Sequence, residues 1–113
     1  MKHALMTVAL MALVSNAAFA DQDATEEVRD ADVEAGESLY QSVCRNCHGP
    51  KAQGVASYPR LSDKDTGYLT NKLERYREGE KIGPNSMLMI PHAKNLSDQD
   101  ILNITTYITT EFQ

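Results

Sequence analysis

The pentapeptide Cys44-Arg45-Asn46-Cys47-His48 constrains this chain more than any other stretch. Two thiols one helical turn apart can each add to one vinyl group of a haem and hold the ring by thioether bonds. The histidine after the second cysteine then lies under the iron and supplies its proximal nitrogen. The chain has 2 cysteines in all, so no disulfide framework remains. A structural zinc site wants four ligands, usually from two such pairs, and there is no second pair. A thioredoxin-like redox pair needs a strand–helix context, and no strand pattern precedes Cys44. The motif therefore predicts one covalent haem c with its iron, attached through Cys44 and Cys47 and ligated by His48. The remaining residues should wrap that haem and supply a second iron ligand.

The start of the chain has the layout of a secretory signal. Met1-Lys2-His3 is a short basic start, Ala4 to Val14 is apolar, and Ala18-Phe19-Ala20 is a small-residue cleavage site. The apolar run is too short to span a bilayer, which needs about 20 residues. Cleavage after Ala20 and export to the periplasm are expected, without stable membrane insertion. The 93 residues left suit one domain. A chain of that size has a thin core and gains from a staple, which a covalent haem provides. Without Lys2 it carries 10 Lys+Arg against 16 Asp+Glu, a net charge of −6. That balance argues against nucleic acid as a partner. It suits a partner with a basic docking patch, or solubility alone.

Residues 21–32 are acidic and poor in apolar side chains, which reads as a flexible leader. The haem domain is expected over 33–113. Val33, Leu39, Tyr40 and Val43 give an apolar face at near-helical spacing that runs into Cys44. Gly36 interrupts that helix at a cost of about 1 kcal/mol against alanine, so close approach of another helix should compensate. Gly49-Pro50 stops the helix after His48. Lys51 to Asp65 reads as a loop, and within it the carbonyl of Pro59 is the expected acceptor for the second ring N–H of His48.

Thr66 to Glu78 reads as a second helix. Tyr68, Leu69, Leu73 and Tyr76 form its buried stripe, Lys72, Glu74, Arg75 and Glu78 face water, and Gly79 ends it. Glu80 to Leu96 shows no helix or strand pattern, and a stretch that long is rarely kept without a use. It carries Met87, Met89, His92 and Lys94, and the second iron ligand is expected among them. A thioether there would raise the reduction potential and an imidazole would lower it. Spacing alone leaves Met89, Met87 and His92 open. A last helix follows, with Ser97 as N-cap, Asp100 placed for a capping box, and Leu96 and Ile101 placed as a staple. Ile101, Leu102, Ile104, Thr105 and Ile108 give its buried face, with Tyr107 beside it.

Taken in order, these features resemble the class I c-type cytochromes. The features are Gly36 with Tyr40, Cys44 to His48, Tyr58-Pro59-Arg60-Leu61 and Tyr68-Leu69. Met89, Leu96-Ser97-Asp98-Gln99-Asp100-Ile101 and Tyr107-Ile108 complete the order. The likeness runs from Val33 to about Thr109. It is similar to one domain of the periplasmic two-haem members and to small monohaem relatives; with one attachment motif, this is the monohaem form. The resemblance implies an all-α fold of three to four helices wrapped round one covalent haem. Its first and last helices would cross near Gly36 and Tyr107. It also implies Met89 as the second ligand, seven residues before Leu96, whereas Met87 falls two residues too early. His92 departs from the family pattern and keeps open a His48/His92 pair.

The resemblance further implies a periplasmic one-electron carrier with a low-spin His/Met haem, not an enzyme. Its haem envelope would include Pro59, Leu61, Tyr68, Leu69, Leu73 and Ile90. Its redox partners would be a quinol-oxidising complex on one side and a terminal oxidase or periplasmic reductase on the other. A haem subunit dedicated to one periplasmic oxidoreductase is the alternative. A haem enzyme or ligand sensor with a labile sixth site is a third reading.

Overall fold

The first helix begins where the acidic segment ends. In the computed structural model, which describes residues 30–113, Asp32 caps it by accepting a hydrogen bond from the backbone of Ala35 at 2.9 Å. The export signal expected over 1–20 and most of the leader expected over 21–32 lie outside the described residues. Helix α1 opens as Val33–Leu39, passes through a π-helical turn at Tyr40–Cys44 and closes as Arg45–His48. In that turn the N–H of Arg45 bonds the carbonyl of Tyr40, five residues back. Such a turn holds one extra residue and re-aims the side chains after it. Here those side chains belong to the attachment motif.

Three more helices follow: α2 at Thr66–Arg77, α3 at Ser86–Ala93 and α4 at Asp98–Glu111. The described residues hold no β-strand beyond an isolated bridge between Val55 and Tyr58. The architecture is all-α, as expected. Asp65 caps α2 by accepting from the backbone of Tyr68 at 2.7 Å, and Gly79 takes a φ of +82° just past its end. Both bonds of the Ser97/Asp100 capping box form at the start of α4.

The expectation of an irregular Glu80–Leu96 is corrected by α3. Eight residues of this stretch are helical, including Pro91. Proline there removes one bond of the helical ladder, and its presence hid the helix from a pattern reading. So did the continuous run Met87 to Ile90, which has no polar residue to mark a face.

The core sits where α1 crosses α4. Gly36 is buried, and a Cβ built on it would lie 2.1 Å from the carbonyl oxygen of Asn103. The close helix approach expected at Gly36 is therefore present, one turn before Tyr107. Asn103 also accepts the backbone N–H of Asp32 at 2.8 Å, which fixes the register of the crossing. Next to it Tyr40, Tyr107 and Phe112 pack as three rings with centroids 5.3–5.7 Å apart, a spacing suited to tilted aromatic contacts. Ile101, Ile104, Thr105, Tyr107 and Ile108 are buried on α4. Leu102 is half-buried, and Asn103 takes the buried place beside it.

Candidate haem site

The attachment motif occupies the last turns of α1 and opens onto a cleft of about 390 Å³, within the range of small-molecule and cofactor sites. Cys44, Cys47 and His48 line one side. His48 is buried, and its Nδ1 lies 2.8 Å from the carbonyl oxygen of Pro59. A carbonyl only accepts, so Nδ1 carries the proton and donates. The lone pair is thereby left on Nε2, and the ring is held in one orientation. This is the acceptor that the sequence pointed to.

The backbone around His48 is fastened as firmly as its ring. Its carbonyl accepts from Gly54 N–H at 2.8 Å. The carbonyl of Gly49 accepts from the Tyr40 hydroxyl at 2.5 Å. Burial pushes the Tyr40 hydroxyl up from 10.0 to about 12, with the neighbouring Cys44 adding to the rise. Tyr40 is therefore a neutral donor throughout the neutral range. Ala52 is fully buried with a φ of +53°, and its carbonyl accepts from both Leu61 and Ser62. That turn folds Pro59 back over His48. A left-handed alanine carries no sequence signature, so this residue was missed. Burial also pushes the Cys44 thiol up to about 11.

The rest of the cleft is largely apolar. Pro59, Leu61, Tyr68, Leu69 and Leu73 line it, as expected, and Ile104 and Ile108 of α4 line it too. Ile90 does not, which corrects the expected envelope. Because α3 is helical, Leu88, Met89 and His92 share the face that lines the cleft, and Ile90 is turned off it. Met89 is half-buried, Met87 is turned away and 60% exposed, and Lys94 is not among the lining residues. The cleft thus brings together His48, Met89 and His92 but not Met87.

The cleft is also cationic. Arg60, Lys64 and Lys72 line it, and no carboxylate does among the described residues. Lys72, expected to face water, is half-buried here. The ammonium groups of Lys64 and Lys72 lie 5.5 and 5.4 Å from the centre of the Tyr68 ring, close enough for a cation–π attraction. An apolar cleft with two thiols, an oriented imidazole and a cationic lining fits a flat apolar macrocycle that bears carboxylates.

The family model for cytochrome c matches residues 33–111. The chain belongs to the cytochrome c family. Its cofactor is covalent haem c with iron, and it is a haem c electron carrier. It is 40% identical over 81 residues to cytochrome c-554(548) of Halomonas halodenitrificans, covering 71% of this chain and 96% of that protein. It is 38% identical over 87 residues to cytochrome c4 of Azotobacter vinelandii, covering 67% of this chain and 41% of that protein. It is 34% identical over 70 residues to a thiosulfate dehydrogenase electron acceptor of Stutzerimonas stutzeri, covering 60% of this chain and 31% of that protein. The first cytochrome is matched almost end to end; the second is matched over less than half its length. No helix among the described residues is long and apolar enough to cross a membrane.

Proposed function

We propose that the chain is a periplasmic one-electron carrier whose haem is joined to Cys44 and Cys47 and whose iron is held between His48 and Met89. The observation that carries this reading is the His48–Pro59 hydrogen bond at 2.8 Å, which leaves Nε2 free in a cleft that Met89 also lines. Haem c, when bound, supplies a metal that changes charge by one electron. The protein's part is to keep both axial ligands in place through that change, so that little rearrangement accompanies transfer. A thioether from Met89 favours the softer ferrous iron and raises the potential. The apolar walls exclude water, Pro59 keeps the imidazole from turning, and Tyr40 ties down the backbone just after it.

The partners proposed are redox proteins: a quinol-oxidising complex as donor and a terminal oxidase or periplasmic reductase as acceptor. They would be met in brief, salt-sensitive encounters. The relative named as a thiosulfate dehydrogenase electron acceptor favours a second reading, a haem protein dedicated to one oxidoreductase. Stoichiometric co-purification with one enzyme separates the two. The ligand pair is tested by the visible and near-infrared spectra of the oxidised and reduced protein. A low-spin spectrum with a weak near-infrared band from methionine on ferric iron is expected. A ferric spectrum lacking that band, and unaltered by Met89→Ala, overturns the assignment. Rapid carbon monoxide binding by the reduced protein would instead favour a ligand-binding role.

A further inference from the structure

The proposed ligand pair leaves one imidazole of the cleft unused. His92 lines the cleft beside Met89, three residues further along α3. Residues so spaced are surface neighbours, about 5–6 Å apart at Cβ. They are separated by a rise of about 4.5 Å and about 60° around the helix axis. The ring of His92 is exposed and enters none of the hydrogen bonds or ion pairs among the described residues. His48, by contrast, has its second nitrogen committed to Pro59.

The helix that carries both side chains is lightly held. Asn85 makes no side-chain cap to its first turn. Pro91, between Met89 and His92, omits one ladder bond. The polar ties run through its N-terminal end: Ser86 Oγ accepts from Ile82 and Gly83, and Asn85 Nδ2 donates to Ser57 at 3.3 Å. Buried Ala93 marks the other end. Met89 and His92 both lie between these two points, on the face that lines the cleft.

We infer that His92 is a reserve sixth ligand: its imidazole takes the iron position opposite His48 whenever the Met89 thioether is off the iron. The inference rests on the His48/Met89 reading. Imidazole suits the harder ferric ion and thioether the softer ferrous ion, so the exchange favours the oxidised protein. It closes the sixth position to outside ligands and lowers the reduction potential.

The test uses the haem-loaded protein at neutral pH. Met89→Leu conserves volume while removing the thioether. It should lose the near-infrared band, stay low-spin and remain closed to carbon monoxide when reduced. Met89→Leu combined with His92→Ala should turn high-spin and bind carbon monoxide rapidly. A high-spin, carbon monoxide-binding Met89→Leu protein overturns the inference, and so does a low-spin double variant. Should Met89→Leu lose its fold, cyanide binding to the ferric protein with Met89 in place is the second measurement. His92→Ala should speed it several-fold, because no imidazole refills the open position, and an unchanged rate overturns the inference. Failure of the underlying ligand reading looks different. If His92→Ala alone abolishes the low-spin spectrum, His92 is the resident ligand, and both readings fall.

Discussion

On one wall of the cleft, His48 is held by its ring nitrogen, its own carbonyl and the carbonyl of the next residue. Those bonds lead directly into the Tyr40–Tyr107–Phe112 cluster. On the other wall, Met89 rides on eight residues with no side-chain cap and a proline in the last turn. Its helical neighbours Met87 and Leu88 are 60% and 53% exposed. The proposed proximal ligand is therefore preorganised by the core, whereas the proposed distal ligand depends on a short, weakly capped helix. A protein built this way holds His48 through its core and Met89 through a helix with fewer ties.

The largest blow to this contrast is removal of the attachment itself. The double variant Cys44→Ser, Cys47→Ser should lose all covalently bound haem, measured as complete extraction of the pigment by acidified organic solvent. Next comes Gly36→Ala. The new methyl meets the backbone of Asn103 and Ile104 rather than a yielding side chain, and overpacking of this kind costs about 3 kcal/mol or more. At about 4–8 °C per kcal/mol for a domain of this size, the thermal midpoint should fall by more than 10 °C. That change strikes the firmly held wall from behind.

Tyr40→Phe is a gentler cut at the same wall. It leaves the buried carbonyl of Gly49 with the Ala52 N–H as its remaining donor, for a loss of about 0.5–1.5 kcal/mol, read as a lower denaturant midpoint with an unchanged slope. It should also remove a pH dependence. The folded Tyr40 keeps its proton to about pH 12, whereas the unfolded residue loses it near 10. Its contribution is therefore full below pH 10 and is lost as the pH rises towards 12, on the order of 2 kcal/mol. The wild-type protein should lose stability across that window more steeply than Tyr40→Phe. Smallest of all, Asn85→Ala on the loose wall should shift stability by about 0.5 kcal/mol or less. Native-state hydrogen exchange compares the walls without any substitution: amides of α3 should exchange sooner than those of Gly54 and Leu61.

Legibility in the sequence followed the same division. α4 was readable because its start is written in local chemistry: Ser97, Asp100 and the staple residues satisfy the first turn whatever surrounds them. The extent of α2 was readable from its period and from Gly79, although of the expected buried stripe only Leu69 is fully buried and Tyr68 is 45% exposed. The Pro59 acceptor was readable because a ligating histidine places its second N–H on an acceptor, and Tyr58-Pro59-Arg60-Leu61 stood out in the loop that follows it. α3 was not, because proline and an unbroken apolar run remove both cues that a periodic reading uses. The misplacement of Ile90 followed from that. Ala52 and the π-helical turn at Tyr40–Cys44 depend on tertiary packing, and no residue type announces either. Asn103 was overlooked because a buried amide makes sense only once Asp32 is seen to need an acceptor.

The crossing of α1 and α4 also sets an order of events in the making of the protein. Asp32 and Asn103 are 71 residues apart, so the contact that seats the first helix closes nearly the whole domain as one loop. Closures over such distances come late in folding. While the chain is being made, α1 has no partner until α4 has emerged. Through that interval Cys44 and Cys47 stay on a chain that has not yet buried them. The geometry that later shields the site thus leaves its thiols open for as long as the C-terminal helix is still to come.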